Sequence, residues 1–434
     1  MNCEEYQKTI VMARASVNKS YAWANETYII ENLLSLKRYH MPRIVSAWLN
    51  WMVSTCFALF QFFLQAAAGL MATGWQNDFQ LTSGQVGTLS AAFFISYTLM
   101  QVPVGLIFDR FGARKILIIA TIIMVAGCFS LALSQVYWQA ILARLVMGIG
   151  SSFGFVGMLY VTSSWFSGRY FALFIGVSET LAMLGVALGE IGMATIISTY
   201  GWRYTMIVVG CVATVMTGAV ILIIRDHASL SDKNKKALPI VRALKEVLSN
   251  RQVWLAGYYG FALFSIVNVV VTLWGIPFLI ERYYPLTLDV AGAMMSMVFL
   301  GIAIGGPFNA WLIQRWKHRQ LFMQLFALVT TILFALTIYI PKFSPPGLYF
   351  IFLSLGIFSS SYIQVFAIVK DTVSTAVQAT ALSVTNMIVM ISAPLLQPLV
   401  GLLLEKKYSF TQSLSLISII LIINLITSFA LDKK

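Results

Sequence analysis

Long apolar runs separated by short polar segments occupy the chain from about residue 46 to its end. A helix crosses a hydrocarbon core of about 30 Å with roughly 20 apolar residues. Twelve runs reach that scale: 46–71, 86–107, 116–134, 138–163, 171–197, 204–224, 253–280, 290–313, 321–340, 347–369, 378–404 and 409–431. A spanning segment has to satisfy its backbone internally, as a helix or within a closed barrel. These runs are too long for barrel strands and lack their period-two alternation, which predicts an all-α membrane protein with twelve transmembrane helices. The longest interior polar stretch, 225–252, separates two sets of six. The predicted organisation is an N-terminal extension (1–45), a six-helix bundle (46–224), a linker (225–252) and a second six-helix bundle (253–431). Within the linker, Val241, Leu244, Val247 and Leu248 recur at helical spacing around Arg242 and Lys245. That predicts a helix lying on an anionic membrane surface, with a plain solvated linker as the alternative.

Composition supports the membrane reading: 59% of residues are hydrophobic and 10% charged, against about 25% charged in soluble domains. The net charge of +13 would suit nucleic acid, but its placement points elsewhere. Of the 29 basic residues, 23 fall on the side of the two termini; Arg203, Arg282, Lys342, Lys406 and Lys407 lie on the other, and Arg144 lies within a span. Basic loops stay in the cytoplasm, so both termini are expected there, with the chain in a cell (inner) membrane against anionic lipid and no nucleic-acid partner. Cys3, Cys56, Cys128 and Cys211 have no metal-ligand spacing, and His40, His227 and His318 all fall in loops, so no metal is expected. There is no phosphate-binding G-x-x-x-x-G-K-[ST] loop, no H-E-x-x-H and no strand leading into the glycines. No cofactor, ATP-driven transport or enzymatic catalysis is expected. Residues 1–45 lack the apolar core of a signal peptide, the Asn18 and Asn25 glycosylation patterns read as chance, and Met41 offers an alternative start.

The halves repeat weakly. Gly105-Leu-Ile-Phe-Asp109-Arg110-Phe-Gly112-Ala-Arg114-Lys115 follows span 2, and Ala310-Trp-Leu-Ile-Gln314-Arg315-Trp-Lys-His-Arg319 follows span 8. The first of these resembles the loop signature between helices 2 and 3 of the major facilitator superfamily, and Arg144-Leu-Val-Met-Gly148-Ile-Gly150 is similar to the family's R-x-x-x-G-x-G pattern in helix 4. The glycines of span 5 begin like the antiporter signature of its drug exporters, but Glu190 stands where that signature has proline. FQFFLQAAAGLM and GMLYVTSSWFSGRYFALFIG resemble bacterial relatives of the lysosomal dipeptide-transporter branch. The resemblance implies a monomeric carrier whose two halves rock about a central site. It also implies that Asp109 points at the start of span 11, where a helix N-terminus favours an anion. Gly105, Asp109, Arg110, Gly112 and Arg114 would then form a latch at the cytoplasmic face, with ordinary positive-inside charges as the alternative.

Ionisable residues inside spans cost about 2.5–3.5 kcal/mol each even on the most lenient scale. Arg144, Glu179 and Glu190 stand out. The two acids share one face of span 5, so Glu179 and Arg144 are expected to approach one another in mid-membrane. One reading makes them a structural ion pair. The other makes Arg144 a ligand for a substrate carboxylate and Glu179 a ligand for an amine, which suits a zwitterion such as an amino acid or short peptide. Glu179 and Glu190 are candidates for a proton, with simple uniport as the alternative. The family's use of helices 1, 4, 7 and 10 adds Gln61, Gln65, Tyr258, Asn268 and Tyr362 as lining residues, with Asn386 on span 11. An exporter of the same fold and a non-transporting receptor or scaffold are the rival functions.

Overall fold

The computed structural model describes residues 43–166, 168–226, 240–283, 285–340, 343–374 and 377–431. The chain divides at Leu49 into two units, and the packing and sites below are those of residues 49–431. The first crossing is α1 (Arg43–Ala66) and α2 (Ala68–Phe79), interrupted at Ala67. There follow α3 (Ser83–Phe111), α4 (Ala113–Leu133), α5 (Tyr137–Trp165) and α6 (Gly168–Ile223). The apolar part of α6, Phe174–Ile223, has 50 residues, about 75 Å if straight and far too long for one crossing. Gly201, at φ 82°, breaks it into two. A positive φ there suits glycine, which has no Cβ to clash.

After the short α7 (Ile240–Leu248), the seventh crossing runs through α8 (Arg251–Ser265), a π-helical segment (Ile266–Trp274) and α9 (Gly275–Arg282). Then come α10 (Leu288–Trp316), α11 (Arg319–Tyr339) and α12 (Pro345–Ser359). A 3-10 turn (Ser360–Ile363) leads into α13 (Gln364–Thr372), and α14 (Gln378–Met390), α15 (Ser392–Glu405) and α16 (Phe410–Ser428) complete the chain. Among the described residues, eleven apolar runs, one of them double, thus give the twelve crossings that the hydropathy pattern predicts.

Packing repeats between the two sets of six. α3 lies along α5 as α10 lies along α12, and α4 meets α5 and α6 as α11 meets α12 and α16. The closest approaches are made by glycine in the same way: a Cβ on Gly148 would strike the carbonyl of Phe93, and one on Gly356 the carbonyl of Val298. The sets meet along two seams, α3 against α14 and α15, and α6 against α10. Without a hydrophobic drive between helices in lipid, close backbone packing by small residues carries much of the association. A Cβ on Gly150 would lie 2.5 Å from the Met124 amide nitrogen and 2.7 Å from the Ala120 carbonyl oxygen of α4. Neither backbone atom can rotate aside, so Gly150→Ala is expected to cost about 1–3 kcal/mol, read as a lower melting temperature of the purified protein. An unchanged melting temperature would show that α4 and α5 separate freely.

The linker helix exists as α7 but does not rest on lipid headgroups alone. Ala243 and Val247 are buried, and α7 packs on α8 and α14 while Arg242 and Lys245 stay exposed. Part of its apolar stripe, Ala243 and Val247, therefore finds protein as a partner, while Leu248 stays exposed.

Candidate functional site

The two seams close at the end opposite the basic loops. A Cβ on Gly87 of α3 would sit 2.5 Å from the Gln397 carbonyl oxygen of α15, and the Trp274 indole donates to that same oxygen at 3.0 Å. On the other seam, a Cβ on Gly292 of α10 would be 3.2 Å from Cβ of Ala194. Cβ atoms on Gly105 of α3 and Gly176 of α6, nearer the basic end, would meet nothing within 4 Å, as is also true of Gly192, Gly201 and Gly218 of α6. Gly105 therefore makes no close helix approach in this conformation.

Between these ends a polar cluster gathers on several helices. Ser178 of α6 is held to α1 by the Trp51 indole, which donates to it at 2.9 Å, and by Thr55 at 3.0 Å. That fixes the next residue, Glu179, which is half-buried and has no ion-pair or hydrogen-bond partner among the described residues. Its carboxylate lies within Coulombic range of the hydroxyls of Tyr97 on α3 and Tyr362 on the 3-10 turn. Gln61 donates to the Tyr97 hydroxyl at 3.5 Å and accepts from the Phe155 amide at 3.2 Å. Gln65 and Gln101 also flank that hydroxyl. The Nε2 of Gln65 is buried without a partner. Asn386 of α14 donates to Gln101 of α3 at 2.8 Å, crossing the seam, and Phe264 packs on Tyr362 with ring centroids 4.5 Å apart. Gln61, Gln65, Glu179, Tyr362 and Asn386 thus lie in or beside one cluster around the Tyr97 hydroxyl and Gln101.

Tyr97, Gln101 and Phe264 were missed. Tyr97 and Gln101 are spaced i, i+4 on span 2, the same signal that picked out Gln61 and Gln65 on span 1.

Other expected members lie elsewhere. Tyr258 donates to the Ile420 carbonyl of α16 at 3.2 Å and joins two helices outside the cluster. Asn268 donates to Ser392 at 2.8 Å, and its carbonyl, in the π-helical segment, accepts from Gln397 at 2.5 Å. It ties the seventh crossing to α15.

Arg144 is the largest correction. It is wholly buried, donating to the carbonyls of Ser90 at 3.1 Å and Leu64 at 3.5 Å, with its guanidinium 4.9 Å from the Phe93 ring centroid and 5.6 Å from that of Trp75. Leu64 lies just before the interruption at Ala67, so Arg144 caps a weak point of the first crossing. It makes no ion pair with Glu179. The reason is depth: Arg144 lies about 10 Å along α5 from the closed end, while Glu179 lies about 16 Å along α6 from the basic end of helices some 40 Å long. Both Arg144 and Glu179 look inward in sequence, but at different levels.

Glu190 is also wholly buried, and both its carboxylate oxygens lack a hydrogen-bond partner. It stands one turn before Ala194, on the face of α6 that meets α10. Two of the span 5 glycines are close-packed: a Cβ on Gly185 would strike Leu59, and one on Gly189 would lie 2.8 Å from the Phe63 ring.

The Asp109 and Arg110 side chains, the centre of the expected latch, lie outside the described residues. Beside them, Gly112 has φ 77° and links α3 to α4. The Asp226 carboxylate occupies the space a Cβ would need there, accepting from the Arg114 amide at 3.0 Å, while the Arg114 guanidinium donates to the Ile221 carbonyl at 3.3 Å. This end of the first set is therefore braced through Asp226, which the sequence pattern did not single out. Of Asn18, Asn25, Met41 and the Cys3 terminus nothing is described.

Comparison with known proteins adds a family. A family model described as Major Facilitator Superfamily matches residues 52–397. The chain is 24% identical over 286 residues to an uncharacterized transporter of Bacillus subtilis (strain 168), YybO, covering 59% of this chain and 64% of that protein, less than two thirds of its length. It is 21% identical over 386 residues to a probable galactarate/D-glucarate transporter of Escherichia coli (strain K12), covering 81% of this chain and 86% of that one. Among solved structures, a bacterial homolog to the human lysosomal transporter Spinster, in an inward-facing and occupied conformation, superposes with a TM-score of 0.70 at 16% identity. That match covers 88% of this chain and 95% of the other, and establishes a shared fold.

Proposed function

This chain belongs to the Major Facilitator Superfamily, and from that premise we propose that it is a secondary transporter of a small polar solute bearing an amine, amino acids and short peptides included. The observation that carries the substrate class is the unpartnered Glu179 carboxylate, set among Tyr97, Tyr362, Gln61, Gln65, Gln101 and Asn386. An ammonium would find a counter-charge in Glu179 and π faces in Tyr362 and Phe264. Hydroxyls or a carboxylate would find amide donors, including the spare Nε2 of Gln65. With Arg144 sealed against backbone carbonyls, no described basic side chain joins the cluster to attract a dianionic sugar acid.

Alternating access supplies the mechanism. The close fit of both seams at one end supports a state closed there and open toward the basic loops, the side that the positive-inside pattern puts in the cytoplasm of a bacterial inner membrane. The two six-helix sets, 46–224 and 253–431, rock about the central cluster, and the Asn386–Gln101 bond is remade in each cycle. Glu179, which faces the solute, is the residue suited to carry a proton with it or to exchange a proton for the amine.

A thermal-shift panel on the purified full chain tests the substrate class. Amino acids, dipeptides and simple amines are expected to raise the melting temperature, because a ligand that binds only the folded state stabilises it by RT ln(1 + [L]/Kd). Sugar diacids of the same size are expected to leave it unchanged. Stabilisation by the diacids alone would overturn the amine assignment.

A further inference from the structure

A second cavity, of about 310 Å³, opens at the closed end, and no part of the transport cycle above uses it. Its walls come from both sets of helices: Thr73 and Gln76 of α2 and Ser83 of α3 on one side, Trp274, Glu281 and Phe410 on the other. Trp274 and Phe410 pack with ring centroids 6.3 Å apart. Glu281 has no ion-pair or hydrogen-bond partner among the described residues. The base that could neutralise it, its neighbour Arg282, is engaged elsewhere: it donates to Thr411 at 3.1 Å and to the Ile340 carbonyl at 2.7 Å, over the ring of Phe278. The nearby Asp78 is occupied by Arg203 and by the Trp202 indole, so it does not compete for a ligand.

We propose that this vestibule is a binding site for an organic cation with an aromatic body, its ammonium against Glu281 and its ring against Trp274 and Phe410. A free carboxylate beside aromatic faces at the rim of a partly enclosed cavity attracts such a cation by charge and by the ring quadrupoles together. Because Thr73, Gln76 and Ser83 complete the enclosure from the other helix set, the cavity has this lining only while this end is closed, and a cation bound in it favours that state, since a ligand shifts an equilibrium toward the state it binds more tightly. That consequence rests on the alternating-access reading; the binding itself does not.

The test uses three molecules of one shape, phenethylamine, 2-phenylethanol and phenylacetate, added to the purified full chain while intrinsic tryptophan fluorescence and melting temperature are followed. Phenethylamine is expected to bind saturably, the neutral and anionic analogues at least about tenfold more weakly. Glu281→Gln is expected to weaken phenethylamine by about tenfold or more while melting as the wild type does in its absence, because Glu281 has no partner to lose. All measurements are made in a Glu179→Gln background, which removes the carboxylate of the central cluster, so that dependence on Glu281 reads the vestibule alone. Phe410→Leu gives a second route to the same loss without altering charge. No saturable binding in that background, or binding there that is indifferent to both vestibule variants, would overturn the proposal.

Discussion

Uptake of an amine substrate by Glu179→Gln is expected to fall by about 30- to 100-fold at low substrate concentration, while the protein inserts and melts normally. The magnitude follows from the local chemistry. An ion pair made by a half-buried carboxylate with a bound ammonium contributes on the order of 2–3 kcal/mol once its partner is fixed and water is partly excluded. Glutamine keeps the size and hydrogen-bonding oxygen of Glu179 but not the charge. Folding is spared because the carboxylate supports nothing else: Ser178, not Glu179, makes the contacts to α1. Tyr362→Phe should have a smaller effect, about 3- to 10-fold, since it keeps the ring on Phe264 and removes only a hydroxyl. Affinity for a hydroxyl analogue of the substrate should be nearly the same in Glu179→Gln and wild type. Proteoliposome uptake with both substrates checks this. Equal losses for amine and hydroxyl analogue would mean that Glu179 shapes the site without pairing with the amine.

Much of this architecture is legible in the chain because a bilayer admits few solutions. Twelve apolar runs had to be helices, and even the doubled run of α6 is resolved by one glycine whose φ only glycine adopts easily. Gly185, Gly189 and Gly192 share a stripe of span 5 suited to close packing, and Gly185 and Gly189 meet neighbours at close range while Gly192 meets nothing within 4 Å. Depth and rotation were harder to read. Arg144 and Glu179 lie on adjacent crossings in sequence, and helix periodicity gives each a face, but nothing in a single helix fixes its height against the next. A pair expected to meet therefore sits at two levels, and the arginine spends its donors on the carbonyls of Leu64 and Ser90. The same limit explains Tyr258 and Asn268, whose polar groups join helices instead of facing the cluster. Asp226 was hidden because its partner, the Arg114 amide, is 112 residues away and belongs to the backbone, which carries no side-chain signature.

Glu190 leads to the other large effect, a conformational balance set by one buried acid on the seam between α6 and α10. In this state its carboxyl is sealed on the α6 face toward α10 with neither oxygen satisfied. A charge held there carries a penalty of several kcal/mol with nothing to offset it. No described group of opposite charge pairs with it: Asp289 of α10 is an acid and exposed, Arg144 of α5 is committed to carbonyls, and Phe63 of α1 flanks the adjacent Gly189. A neutral side chain at this position is therefore sealed more readily than a carboxylate.

The sign follows from that asymmetry: exchanging the carboxylate for a neutral amide of the same size removes the charge penalty of sealing, so Glu190→Gln shifts the balance toward the closed state. Ala194→Cys, buried on the same seam, reports the opening through its reaction with a membrane-impermeant maleimide. The native cysteines are replaced first, and the rate is divided by that of the exposed Asn77→Cys to remove differences in reagent and protein amount. The corrected rate is expected to be about tenfold lower or more in Glu190→Gln than with Glu190 present. Equal rates would place the control of this seam elsewhere, and a faster rate in Glu190→Gln would mean that the carboxylate itself helps to hold the seam shut.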